Sequence, residues 1–290
     1  MRFASKLLRP AVTLVVVAIA VVAGLRLWNL YMDSPWTRDG RVRADIVQVA
    51  PDVAGMVIEL HVKDNQPVRQ GDLLFVVDKA RYQLAVDRAE ATVAALREQS
   101  RQREREAARR NALGSSAITA ESREQATSTA AQAAAQLHQA EADLETAKLN
   151  LARTEVRAPV NGYVTNLHLN PGDYVTAGKA AFALVDSDSY YVVGYFEETK
   201  IARIHAGDSV SVRLMGFEQA VQGKVGSIAR AIVDRDSTEG GDLVANVNPT
   251  FSWVRLAQRI PVRVDLGPLP DGMVLSAGMT ATVVVEDRKG

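Results

Sequence analysis

The sequence contains no cysteine, and among its 290 residues only four are histidine and six methionine. Without thiols there is no disulfide framework, no thiolate metal site and no cysteine nucleophile. A lipoprotein anchor is excluded too, because lipidation requires a cysteine. Charge of one sign is also missing: 34 Lys and Arg stand against 34 Asp and Glu, so the chain lacks the basic excess of nucleic-acid binders. No Ser-His-Asp order, phosphate-cradling glycine loop or paired-carboxylate motif stands out, and the chain offers no catalytic residue, metal ligand set or cofactor site. Proline is absent from residues 79–157, and glycine occurs there once, at Gly114. What remains is ordinary for folded protein, at 47% hydrophobic and 23% charged residues, over a length suited to two or three small domains.

One phrase occurs twice. "VAGMVIELHVKDNQPVRQGDLLFVVD" begins at Val53 and "VNGYVTNLHLNPGDYVTAGKAAFALVD" at Val160. At an offset of 107, eight pairs coincide: Val53/Val160, Gly55/Gly162, Val57/Val164, Leu60/Leu167, His61/His168, Val68/Val175, Gly71/Gly178 and Phe75/Phe182. Each copy has short strand-like runs separated by glycine turns. Either the chain holds two similar units or one unit is split by an insertion.

The intervening residues have strong helix-forming composition, rich in Ala, Gln, Glu and Arg. Ala126, Ala130, Ala133, Leu137, Ala140, Leu144, Ala147 and Leu151 fall at alternating steps of four and three, the a/d seam of a heptad repeat. Val86, Ala89, Val93 and Leu96 show the same spacing, and the phase runs on into Ser100, Arg103, Ala107 and Arg110, where its apolar character fades. "NALGSSAIT", residues 111–119, breaks the helix, with Gly114 free to take positive φ and Ser115, Ser116 or Thr119 available as a cap. The pattern predicts an antiparallel helical hairpin over 79–157, each arm about 50 Å long. Such a hairpin returns the chain to its starting point, so the flanking repeats, 53–78 and 160–186, can pair as halves of one β domain.

At the N-terminus, Arg2, Lys6 and Arg9 precede an uncharged apolar run from Ala11 to Leu25, followed by Arg26, Trp28 and Tyr31. The sixteen residues between Arg9 and Arg26 make about 24 Å of helix. Snorkelling arginines and interfacial aromatics extend that reach across a membrane. The three basic residues hold the N-terminus in the cytoplasm and send everything after Met32 across. A second reading is a cleaved signal peptide, with Ala18-Ile19-Ala20 as the site.

Two further features carry a bland and a sharp reading. His61 and His168 hold equivalent repeat positions, yet no acidic or sulfur ligand recurs beside them, which favours surface strand positions over a metal site. The stretch from Arg97 to Arg110 holds six arginines and three glutamates; it is either a solvated helix face or a surface built to meet another helical protein. After Asp186 the pattern is β throughout, in "YYVVGYF", "SVSVRLM", "GKVGSIARAIV", "RIPVRVDL" and "MTATVVVED", separated by turn signals such as Ala206-Gly207-Asp208. This predicts a β-barrel over 187–290, with a long loop at 234–249 and an extended lead-in over 33–52 able to join the barrel.

"GDLLFVVDKA" at Gly71–Ala80 resembles the stretch of lipoyl carrier domains that bears a modified lysine, but here the inserted helix starts at that point, so Lys79 is expected to begin a helix capped by Asp78. As a whole the chain resembles the periplasmic adaptors, or membrane fusion proteins, of Gram-negative efflux systems. The resemblance rests on "WTRDGRVRADIVQVAPDVAG" (Trp36–Gly55), "RTEVRAPVNGYVTNL" (Arg153–Leu167), "GYFEETKIARI" (Gly194–Ile204), "FSWVRLAQRIPVRV" (Phe251–Val264) and "RRNALG" near Gly114. It is strongest with the adaptors of p-hydroxybenzoic acid (aromatic carboxylate) pumps.

The resemblance implies a mixed α and β, elongated fold. Its parts are a cytoplasmic tip and transmembrane helix (1–32), a split lipoyl-like β domain interrupted by an antiparallel coiled-coil hairpin, and a β-barrel. It implies a non-enzymatic subunit that forms a hexamer and joins an inner-membrane transporter to a TolC-like outer-membrane channel. Channel contact is implied for the hairpin tip: Arg109, Arg110, Leu113, Gly114 and Thr119. The family's tip motif is an arginine, a leucine four residues on, and a serine seven further; Arg109 and Leu113 match, while Ala120 stands at the serine position and Thr119 one residue before it. The alternatives are the adaptor of a protein-secretion system, which carries a longer coiled coil, and a lipoyl or biotinyl carrier domain of a multienzyme complex.

Overall fold

A computed structural model describes residues 13–24, 34–113, 118–232, 257–270 and 272–286. The chain divides into two compact units: Ile46–Asp188, and Met1–Asp45 together with Ser189–Gly290. Residues 13–24 form a helix, α1. Among the described residues no helix is long and apolar enough to cross a membrane. Arg9, Arg26, Trp28 and Tyr31 lie outside the described residues.

In the unit Ile46–Asp188, ten elements follow in order: β2 (Ile46–Val49), β3 (Gly55–Leu60), β4 (Pro67–Val68), β5 (Leu73–Val77), α2 (Lys79–Ala112), α3 (Ala120–Ala152), β6 (Glu155–Arg157), β7 (Gly162–Thr165), β8 (Tyr174–Val175) and β9 (Phe182–Asp186). The strands make two four-stranded sheets, in the orders β6-β5-β3-β8 and β2-β9-β7-β4. Adding 107 to a residue of the first repeat converts β3 to β7 and β4 to β8, brings β2 onto β6, and superposes Phe75 of β5 on Phe182 of β9. Under that operation one sheet order becomes the other. The hydrogen bonds repeat as well: Val57 N–H donates to Asp173 O at 2.8 Å and Val164 N–H to Gln66 O at 3.0 Å, while Gly172 N–H donates to Val57 O at 2.8 Å and Asn65 N–H to Val164 O at 3.0 Å. Each sheet contains strands from both repeats, so neither repeat has a complete sheet of its own. Phe75 and Phe182, repeat equivalents, meet edge to face with centroids 6.0 Å apart in a core that includes Leu74, Val77, Val164 and Leu184.

The helices leave this core from Asp78, whose Oδ1 accepts the Ala80 N–H at 3.0 Å, and return at Ala152. The hairpin therefore ends five residues short of the expected 157. Thr154, fully buried, turns its hydroxyl onto Leu151 O at 2.6 Å and its carbonyl accepts the Val77 N–H at 2.9 Å. That arrangement stops α3 and sends residues 155–157 into the sheet beside β5.

The expected lead-in is also divided. β1 (Trp36–Arg43) pairs with barrel strands, whereas β2 pairs with β9 in the other unit. The barrel is closed and wholly antiparallel, in the order β1-β10-β13-β12-β11-β14, from β10 (Tyr191–Glu197), β11 (Ser209–Leu214), β12 (Ala220–Ile228), β13 (Arg259–Leu266) and β14 (Thr280–Val285). Alternate residues point inward, and Val42, Val192, Phe196, Val210, Val212, Val264 and Val283 fill its interior. The expected loop at 234–249 lies outside the described residues.

Candidate docking site at the hairpin tip

One contact between the start of α2 and β6, and two between α2 and α3, tie the hairpin together. Lys79 Nζ meets Glu155 at 2.5 Å, Arg97 meets Glu141 at 3.0 Å, and Arg110 Nη1 lies 3.5 Å from Ser122 Oγ. Between the two α2–α3 pairs the residue number rises from 97 to 110 on α2 and falls from 141 to 122 on α3, as antiparallel helices require. The buried residues are Val86, Val93, Ser100 and Ala107 on α2 and Ala126, Ala133 and Ala140 on α3. Each set steps by seven, one heptad.

The expectation that the seam fades beyond Arg97 is thereby corrected. Ser100 is 2% exposed and Ala107 7%, because small residues let the helices stay close where large apolar ones are absent. Ser100 avoids a bare buried hydroxyl by donating to Glu104 at 3.2 Å. The arginines alongside are drawn into ion pairs: Arg101 with Glu98 at 2.7 Å, Arg103 with Glu106 at 3.3 Å and Arg110 with Glu106 at 2.5 Å. Glu106 thus clips two arginines. The sequence signal for this buried stretch was the heptad phase itself, 86-93-100-107, which continues whatever residue occupies it.

At the tip, Leu113 ends α2, its N–H donating to Arg110 O at 3.4 Å, and its side chain is 47% exposed. Thr119 is the cap of α3, its hydroxyl accepting the Ser122 N–H at 3.3 Å. Arg109 is exposed, while Arg110 is half-buried against Glu106 and Ser122. Gly114 lies outside the described residues. The tip therefore presents an exposed leucine, an exposed cation and a cap hydroxyl already engaged with its own helix.

Other tempting residues are engaged locally. Lys79 is the first residue of α2 and bonds Glu155. With Arg157 Nη2 also at 2.7 Å, the Glu155 carboxyl is held below its ordinary range, the Lys79 hydrogen bond being the largest cause. His61 and His168 are exposed, and each meets the side chain two residues before it: Glu59 at 3.0 Å and Asn166 at 2.9 Å. Among the described residues no group of three potential metal ligands converges.

Comparison with known proteins agrees with this architecture. Residues 45–187 match the family model "RND MFP, barrel-sandwich hybrid domain", and residues 189–286 match the "AAEA-like beta-barrel domain". A relative in Escherichia coli K12, the uncharacterized protein YdhJ, is 44% identical over 273 residues, covering 94% of this chain and 96% of that one. The chain belongs to the membrane fusion proteins. Its fold is similar to that of the membrane fusion protein Spr0693 from Streptococcus pneumoniae R6, at 19% identity and a TM-score of 0.64, covering 88% of this chain and 100% of that one. It is also similar to a MacA-MexA chimera carrying the Pseudomonas aeruginosa MexA α-hairpin, at 22% identity and a TM-score of 0.60, covering 88% and 82%. As a membrane fusion protein the chain is a periplasmic adaptor, and the family is one of non-enzymatic subunits.

Proposed function

We propose that this membrane fusion protein is the adaptor subunit of a tripartite efflux pump. It is anchored in the inner membrane by the apolar run Ala11–Leu25 and has the bulk of the chain in the periplasm. Six copies join an inner-membrane transporter to a TolC-like outer-membrane channel. The channel meets the hairpin tip, with Leu113 at the centre of the contact and Arg109, Arg110, Gly114 and Thr119 around it. The exported substrates are aromatic carboxylic acids, as the resemblance to p-hydroxybenzoic acid pumps implies.

The observation that carries the reading is Leu113. It is a large apolar side chain left half in water at the end of a helix pair about 50 Å long, off the seven-residue phase of the buried seam positions of α2. An exposed leucine alone is unremarkable; at the distal end of an adaptor hairpin it is where a partner would be met. The test is export of p-hydroxybenzoate, set beside a neutral drug, from cells lacking the chain and from cells given it back. Loss and recovery of export for the carboxylate supports the proposal. Equal export with and without the chain would contradict it.

A further inference from the structure

The start of β1 departs from regular pairing. Against β14, Thr37 is level with Val283 and Gly40 with Ala281, so Arg38 and Asp39 share one partner position, the pattern of a β-bulge. Against β10 the pairing of β1 runs only from Gly40–Gly194 to Arg43–Tyr191, whereas β10 continues along β13 as far as Glu197–Arg259. Ahead of Gly40, then, β1 parts from β10. The buried Thr37 hydroxyl ties the two strands across that gap, donating to Tyr195 O at 2.8 Å and accepting the Asp39 N–H at 3.1 Å. Bulges at barrel rims re-aim side chains, and here they surround a recess of about 310 Å³.

Rings and cations line the recess. Trp36 and Tyr195 supply the rings, and Arg38, Lys200 and Arg259 the cations, against the carboxylates of Asp39 and Glu197. Three positive charges thus meet two negative ones. Arg259 is engaged by Asp39. Lys200, on the 3-10 helix Glu198–Arg203, has a side chain only 13% exposed, and Glu197 stands 3.5 Å from its ammonium, longer than the roughly 2.7–2.9 Å of a charge-assisted hydrogen bond. The Arg38 guanidinium has no ion pair or hydrogen bond among the described residues; it rests 5.4 Å from the Trp36 ring centroid, as does Lys200 Nζ. A cation–ring contact at an exposed site is weaker than a bidentate guanidinium–carboxylate pair, so a carboxylate can draw Arg38 off the indole. The uncovered indole then takes an aromatic ring in offset or edge contact. The volume is at the small end of ligand pockets, which run from about 300 to 1,000 Å³: it has room for one substituted ring and none for an acyl chain or a peptide.

We propose that this recess in the barrel binds a small aromatic carboxylate. Arg38 takes the carboxylate, the ring lies against Trp36, and Lys200 keeps the recess positive. The Tyr195 hydroxyl, which has no hydrogen bond among the described residues, meets a polar substituent on the ring. The ligand is of the class proposed above as cargo, so its place in transport rests on that reading, whereas the binding rests on the recess alone. The chain is then a subunit that holds a small molecule as well as one that joins two proteins.

Calorimetric titration of the full-length chain in detergent micelles tests this, with p-hydroxybenzoate as the probe and its neutral amide, cyclohexanecarboxylate and inorganic phosphate beside it. The expected result is one site per chain for p-hydroxybenzoate. The other three should bind at least about ten-fold more weakly, since each lacks the charge or the aromatic ring. Arg38→Gln removes the guanidinium from an exposed position and orphans no partner. It should keep the wild-type thermal midpoint and weaken p-hydroxybenzoate about ten-fold or more. Arg88→Gln, at an exposed arginine of α2, should leave the affinity unchanged. No binding of p-hydroxybenzoate at millimolar concentration overturns the proposal. Equal binding of cyclohexanecarboxylate or phosphate does so too, because it marks a general anion site, and an affinity untouched by Arg38→Gln puts the ligand elsewhere and overturns it as well. Binding with no effect of the chain on export upholds the site and overturns the pump reading. Export that depends on the chain without any binding does the reverse.

Discussion

Gly55 and Gly162 occupy the same repeat position, and the structure distinguishes them. A Cβ on Gly162 would lie 2.1 Å from the backbone oxygen of Val185, while one on Gly55 would meet only the Val77 methyl at 2.6 Å. A carbonyl within a paired strand cannot retreat without breaking the ladder, whereas a side chain can turn. Gly162→Ala should therefore cost about 3 kcal/mol, at the upper end of ordinary overpacking, and clearly more than Gly55→Ala; chemical denaturation of the two variants checks the order.

Glu155 gives a second expectation. A carboxyl with a lowered folded pKa contributes stability that is complete above its unfolded value, 4.5, and lost as pH falls through the lower folded value. Glu155→Gln should thus be less stable than wild type at neutral pH, and the difference should vanish on acidification well below 4.5; equal gaps at both ends of an acid titration would refute the bridge.

Much at this scale was legible. "QGD", "PGD" and "AGD" announce three turns of one construction, with positive φ of 91°, 99° and 89° at Gly71, Gly172 and Gly207. In each the aspartate accepts the N–H three residues back, at 2.7, 2.8 and 2.7 Å. Why Gly162 tolerates no side chain was not legible, because its neighbour is brought close by a strand pairing that the repeat alone does not specify.

Among the elements, the helical hairpin was the most legible, since heptad spacing declares both helices and their shared face without reference to anything distant. Its C-terminal limit was not, because α3 stops on Thr154, whose role depends on Val77 across the sheet. The seam's continuation past Arg97 was underestimated from composition: burial there follows spacing and small size rather than hydrophobicity. Ala140 is 5% exposed and Leu144 half-buried. Ala140→Asp should therefore lower the hairpin's thermal midpoint more than Leu144→Asp, although leucine is the larger apolar residue. A buried unpaired carboxylate costs several kcal/mol, whereas Leu144→Asp loses part of a leucine's burial and keeps its charge near water. Helical circular dichroism during heating separates the two, and equal midpoints would mean that the alanine layer is not closed.

For the whole molecule, the repeat carried most of the information. Two phrases 107 residues apart give two sheets in which a central pair of strands from one repeat is flanked by a strand of the other, and that mixing requires the intervening helices to leave and return at one place. The placement of β1 in the barrel and β2 in the other unit was not legible, since both are short extended runs and only pairing assigns them. An alkaline phosphatase reporter fused after Met32 should be active and remain membrane-bound; an active but released, shortened product would instead indicate cleavage of the N-terminal run. The account's central claim is that the tip is where this adaptor meets its channel, and Leu113→Asp tests it most directly. The substitution changes an exposed position and should alter stability by about 0.5 kcal/mol or less, while a charge at the centre of a small contact costs a few kcal/mol. The variant should be made, folded and anchored at wild-type levels, yet fail to crosslink to the outer-membrane channel and fail to export. Normal export together with an undiminished crosslink would contradict the account.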